Sequence, residues 1–176
     1  MLVLRDVLVP VDFEPTSYHA LAYGRDLAWT FGARLHVVHV LEDTFALPAG
    51  TEGSLSAFPR LERRIEDDAR ARLGELLTEE DRKAGTITAV RLGASPAASI
   101  VGYAQEIHAD VIVMGTHGCS GPVAGPIGSV AAQVVRTAPC PVLTLRPHPS
   151  EVALAKVPDL EAGSSAKNDH VQAQER

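Results

Sequence analysis

Along this chain, short apolar runs alternate with longer amphipathic stretches, and that alternation predicts most of the elements. Asp6 to Val11 holds Val7, Leu8, Val9 and Val11 in a near-continuous apolar run, the pattern of a strand covered on both faces. Ala20, Gly24, Leu27, Ala28 and Phe31 then recur at helical spacing, and Gly32 supplies a stop. Arg34 to Leu41 reads as a second, valine-rich strand. Leu61 to Lys83 is strongly charged, with a sparse stripe of Ile65, Ala69 and Leu73 followed by Leu76 and Leu77; this predicts one helix on the outside of the sheet. Thr86 to Leu92 is a third strand. Ser95-Pro96 pairs an N-cap with a first-turn residue, and Ala97, Ile100, Val101, Ala104 and Ile107 line one face of the next helix. Ala109 to Gly115 is a fourth strand, Ser129 to about Thr137 the last core helix, and Cys140 to Arg146 a fifth strand.

Strands that alternate with helices pair in parallel through right-handed crossovers, so the fold class is α/β. Two segments break the rhythm. From Glu42 to Arg60 the chain is rich in Pro, Gly and Ser and reads as an unusually long loop. Beyond Arg146 come Pro147, Pro149 and a polar stretch with Gly163-Ser164-Ser165, which reads as a flexible tail, with a short helix near Glu151 to Lys156 compatible with the pattern. The expected organisation is one domain over 1–146 and a tail over 147–176; 176 residues suit a single core of this kind.

Composition narrows the function classes. The formal net charge is −6 with only three lysines, which speaks against a nucleic-acid binder, whose basic face is its footprint. No apolar run approaches the roughly 18 residues of a membrane span, and the first residues lack the pattern of a secretory leader. Cys119 and Cys140 form neither a CxxC nor a disulfide scaffold, so the expectation is a reduced, cytoplasmic setting. The seven histidines form no spaced ligand cluster, and His36 and His39, three apart on a strand, point to opposite faces; no metal site is expected from the protein's own side chains. Ser54 and Ser56 sit in the long loop without the Gly-x-Ser-x-Gly turn of a nucleophile.

The candidate chemistry lies after the fourth strand. Val111-Ile112-Val113-Met114 runs into Gly115-Thr116-His117-Gly118, then nine residues, then Gly128-Ser129 at the start of a helix. Glycines let backbone N–H groups approach an anion, and a helix start presents unpaired amides, so this order builds a phosphate cradle. Ligands of doubly wound sheets sit where strand order reverses, at the carboxyl ends of the strands. If the first and fourth strands are neighbours there, Asp12 and the glycine loop share one crevice: Asp12 for a ribose or base, the amides between Gly115 and Val130 for phosphates.

These residues resemble the ATP-binding branch of the universal stress protein family. The Gly-x-x-Gly, nine residues, Gly-Ser spacing matches, as do Val9-Pro10-Val11-Asp12, His39-Val40 and Ala138-Pro139-Cys140-Pro141-Val142-Leu143, over roughly Val3 to Arg146. The resemblance implies an open doubly wound five-stranded parallel sheet in the order 3-2-1-4-5, helices on both faces, of adenine-nucleotide-binding type, with a homodimer formed through the last strand. It implies adenine between the turn Pro10-Val11-Asp12 and the backbone of Val40, with Met114 nearby. Phosphates would meet Gly115, His117, Gly118, Gly128, Ser129 and Val130. The ligand implied is ATP, with Mg²⁺ carried by its phosphates, and the role a nucleotide-dependent switch or adaptor toward a protein partner. This chain departs from the pattern at Ala131, where many members carry a hydroxyl, and in a loop, Cys119 to Ile127, without Lys or Arg.

Plainer readings stand beside these. The glycines also serve tight turns and close packing, Asp12 also suits capping of the first helix, His117 also suits a solvated loop, and Cys140 suits a small buried residue. At the level of function, the alternatives are a ligand-free dimeric interaction module and a weak ATP hydrolase. No Gly-x-x-x-x-Gly-Lys loop is present, so any turnover of ATP is expected to be slow.

Overall fold

The computed structural model describes residues 3–43, 59–116 and 127–146. In chain order the elements are β1 (Asp6–Pro10), α1 (Pro15–Phe31), β2 (Arg34–Glu42), α2 (Pro59–Leu76), α3 (Glu79–Lys83), β3 (Ile87–Gly93), α4 (Pro96–Glu106), β4 (Val111–Gly115), α5 (Ser129–Thr137) and β5 (Val142–Leu145). The strands form one five-stranded sheet, β3-β2-β1-β4-β5, with every pair parallel.

Alternation along the strands sends successive side chains to two separate cores. Val7, Val9, Leu35, Val37 and Val113 pack against Ala20, Leu21 and Ala28 of α1 and Leu73 of α2. Leu8, Val38, Ile112 and Met114 pack against Ala97, Ile100, Tyr103 and Ala104 of α4 and Ala131 and Val134 of α5. The central strand β1 is buried along its whole length. Each fully buried aliphatic side chain there stabilises the fold by about 1.5–3 kcal/mol. Close approach of α1 to the sheet depends on Gly24, where an added Cβ would collide with the Val9 side chain.

Helix ends follow local chemistry. Gly32 closes α1 in the left-handed conformation at φ 62°. Ser95 caps α4, its Oγ accepting from the Ala98 N–H at 3.4 Å, with Pro96 in the first turn. The single helix expected over Leu61–Lys83 is instead two, α2 and α3. Thr78 starts the second with a capping box: its hydroxyl accepts from the Asp81 N–H, and the Asp81 carboxylate accepts from the Thr78 N–H. Arg25 of α1 secures the break, donating from Nε to Asp81 at 2.7 Å and from Nη2 to the Leu76 carbonyl at 2.5 Å. β2 runs to Glu42 and α2 starts at Pro59; the rest of the segment expected to be a long loop, 44–58, lies outside the described residues.

Candidate functional site

The site is set by where the strands stop pairing. β1 and β2 are in register from Asp6↔Arg34 to Pro10↔Val38, and the Val11 N–H still donates to the Val38 carbonyl at 2.8 Å. Beyond that point β2 continues through Val40 to Glu42 alongside β3. β1 and β4 pair only at Val7↔Val111 and Leu8↔Ile112, so they part toward their carboxyl ends. Pro10 contributes to the parting, since it has no N–H to give a ladder. The opening falls between β1 and β4, where the order of strands reverses, the place open α/β sheets hold ligands.

Four walls surround it. The first is the turn from β1 into α1. Glu14 is the N-cap of α1 and Pro15 its first residue, and no side chain caps the helix start. Asp12 therefore does not cap the helix; its Oδ1 accepts from the Glu14 N–H at 3.1 Å within the turn. Its own N–H donates to Ser17 Oγ at 3.3 Å, and that hydroxyl donates to the Glu14 carbonyl at 2.9 Å. The second wall is the Val40 stretch of β2. The third is Met114-Gly115, with Met114 buried in the α4/α5 core. A Cβ on Gly115 would lie 2.7 Å from Thr16 Cγ2 and 3.2 Å from the Thr16 carbonyl oxygen, so the glycine is required for α1 to start this close to β4.

The fourth wall is the start of α5. Thr116 N–H donates to the Leu145 carbonyl at 2.9 Å, and Gly128 N–H donates to the Thr116 carbonyl at 2.6 Å, so the two ends of the intervening segment are tied beside β4. Gly128 is the N-cap of α5 with extended backbone (φ −71°, ψ 162°) and no side-chain cap. Ser129 is exposed and Val130 half-buried in the first turn. The first amides of a helix lack intrahelical acceptors and carry its positive dipole end, so this wall attracts an anion.

The structure thus brings Pro10, Val11, Asp12, Val40, Met114, Gly115, Gly128, Ser129 and Val130 to one end of the sheet. His117 and Gly118 lie outside the described residues, as do Cys119, Ser54, Ser56 and the segment 147–176. Ala131 points into the α4/α5 core rather than outward. Cys140 is half-buried, more open than a core residue, and burial, with Asp110 nearby, pushes its thiol up.

Sequence reasoning missed the side chains that brace the first wall. His39 Nδ1 lies 2.8 Å from the Val11 carbonyl oxygen. Its ring contacts the Phe13 ring at a centroid distance of 4.4 Å, and the Arg72 guanidinium carbon stands 3.8 Å from the Phe13 centroid. Burial holds the imidazole below the usual histidine range, the Arg72 charge adds to that, and the Val11 bond and Asp12 oppose it. On the other face, His36 is buried between Asp6 (Nε2 to Oδ1, 2.9 Å) and the Tyr103 hydroxyl (Nδ1 to Oη, 3.3 Å). The two histidines therefore face opposite sides of the sheet, as their spacing predicts.

Together these features define a doubly wound α/β domain with a crevice at the strand-order reversal. The chain belongs to the universal stress protein family, whose family model matches residues 4–146. It is similar to universal stress protein MJ0531 of Methanocaldococcus jannaschii, 29% identical over 81% of this chain and 82% of that one. A universal stress protein of Thermus aquaticus is 33% identical over 82% of this chain and 100% of its own length. Among solved structures, universal stress protein UspA from Lactobacillus plantarum superposes with TM-score 0.66 at 24% identity, covering 83% of this chain and all of that one. A universal stress protein from Archaeoglobus fulgidus in complex with dAMP matches with TM-score 0.53 at 23% identity, over 83% and 100% of the two chains. Another, in complex with cAMP, matches with TM-score 0.51 at 24% identity, over 82% and 98%. The likeness to these solved structures is one of fold. Among the described residues no helix is long and apolar enough to cross a membrane.

Proposed function

We propose that this protein binds an adenine nucleotide, with ATP the preferred form, and works as a nucleotide-dependent switch or adaptor in the stress response. The observation that carries the reading is the meeting of two complementary walls at the strand-order reversal. On one side β2 runs past the end of β1, offering main-chain groups around Val40 to a flat base; on the other, α5 starts after Gly128, whose N–H donates to the carbonyl of Thr116, the residue after Gly115. Asp12, in the turn that follows β1, carries a carboxylate suited to a ribose hydroxyl or base amine. That two family members of the same fold are solved with dAMP and cAMP supports an adenine ligand. Phosphate affinity rests on main-chain amides and the helix end, so Mg²⁺, where present, rides on the nucleotide and not on a protein cage. The position of His117 and Gly118 in the motif suits them to the same phosphates.

Turnover is slow in this reading, because the first turn of α5 provides neither a charge-neutralising Lys nor an Arg. The working form is a cytoplasmic homodimer joined through β5, with 1–146 as the binding domain and 147–176 as an appended tail. Titration calorimetry with ATP, ADP and AMP tests the binding: saturable heat below millimolar nucleotide is expected, and its absence for all three refutes the proposal.

One observation favours a ligand-free interaction module as the second reading. The absence of a side chain at Gly115 is already demanded by Thr16, so that glycine is no independent sign of a ligand. Gly118→Leu distinguishes the two, since a switch loses its nucleotide response and a ligand-free scaffold behaves as before.

A further inference from the structure

Phe13 has a left-handed backbone, φ 63°, which bulky side chains rarely adopt unless their surroundings hold them there. What holds it is a three-element contact. The ring lies against His39 of β2 at 4.4 Å and under the guanidinium of Arg72 from α2 at 3.8 Å. The same imidazole bonds the Val11 carbonyl at 2.8 Å, and because a carbonyl only accepts, Nδ1 carries the proton. One histidine thereby ties both neighbours of Asp12, Val11 by a hydrogen bond and Phe13 by its ring. A carboxylate on so short a side chain is placed almost entirely by the backbone on either side of it.

We infer that His39, Phe13 and Arg72 form a clamp that positions Asp12 at the carboxyl end of β1 for recognition of the ligand. This rests on the nucleotide reading for the ligand's identity, while the clamp itself is a property of the free protein. Its parts are chosen for the task. Arginine presents a flat cation to an aromatic face, which lysine does not match. Among the described residues the charges acting on His39 are Arg72 from α2 and Asp12 from the turn. A neutral imidazole keeps a second cation away from Arg72, and the clamp joins α2 mechanically to the ligand crevice.

The test uses the full chain carrying Arg72→Met, which keeps an unbranched stem without the guanidinium, Phe13→Leu, and the conservative Phe13→Tyr. In the ligand-free protein, amide exchange at Asp12 and Glu14 should quicken about five- to tenfold in the first two variants. It should stay at the wild-type rate in Phe13→Tyr, and exchange at Val37 and Ile112 in the core should not change in any of the three. In calorimetry, affinity for AMP and for ATP should fall by the same factor, about tenfold, in the first two and be retained in Phe13→Tyr. The equal factor places the defect at Asp12, away from the phosphate end. Unchanged exchange at Asp12 and Glu14 overturns the clamp. Faster exchange with unaltered affinity overturns its role in recognition. A wild-type chain that binds none of the nucleotides overturns the nucleotide reading and the assignment of ligand, and the exchange result then decides alone whether the clamp orders the turn.

Discussion

Gly115 ends β4 and Ser129 begins α5, yet physical chemistry constrains them differently. At Gly115 the constraint is steric, because Thr16 occupies the space a methyl would need. Gly115→Ala should destabilise the fold by about 1–3 kcal/mol, the usual cost of overpacking. Thr16→Ser removes the Cγ2 methyl that lies 2.7 Å from the added carbon, so the double variant should recover part of that loss in thermal melts. At Ser129 the constraint is electrostatic. The residue is exposed in the first turn of α5, where no acidic side chain is present. Ser129→Asp adds a negative charge where the helix dipole favours one, stabilising by about 0.3–1 kcal/mol. The same charge repels phosphate, so ATP affinity should fall about tenfold or more, with adenosine affected least. A variant that melts higher and binds ATP as well as wild type would remove α5 from the phosphate site.

At the scale of elements, the hydrophobic pattern was sufficient for every strand and for α1, α4 and α5, because the strands are short apolar runs and each of these helices carries its buried residues at helical spacing. The break between α2 and α3 was harder to read. Thr78-x-x-Asp81 is a capping signal, but the charged pattern continues through it, and what stabilises the break comes from Arg25, far away in α1. Asp81 is buried, so Arg25→Ala takes away its charged partner, leaving the Thr78 N–H as its donor, and removes the side-chain donor to the Leu76 carbonyl; it should cost about 2–3 kcal/mol. Thr78→Ala removes only the cap and should cost about 1 kcal/mol. Urea unfolding of the two variants checks the order. The candidate site divides in the same way. Asp12, Gly115 and Gly128 were legible because turns and helix starts write themselves in neighbouring residues. Phe13, Arg72 and the His39 side chain were not, for their contact joins a turn, a helix and a strand that share no period.

Over the whole molecule, the two faces of the sheet carry different titrating groups, and both predict loss of stability in acid. His39, on the α1/α2 face, is held below its ordinary value by burial and by Arg72, so the folded state favours the neutral ring. A depressed folded value contributes stability above the unfolded one, about 6.5, which is lost as pH falls through the folded value. Asp6, on the α4/α5 face, is only 7% exposed, and burial alone would raise it. Hydrogen bonds from Arg34 at 2.8 Å and His36 at 2.9 Å, with their charges, outweigh burial and leave it lowered. Its contribution is therefore complete above the ordinary carboxylate value, about 3.9, and is lost as pH falls below that. The acid limb of a stability-against-pH curve should then descend in two stages, the first from below about pH 6.5 and the second from below about pH 4. His39→Asn keeps an N–H for Val11 but cannot titrate, so it should flatten the first stage and spare the second. Asp6→Asn should be most destabilising at neutral pH, with its deficit shrinking through the second stage. A single descent that neither substitution reshapes would mean that other groups govern the fold in acid.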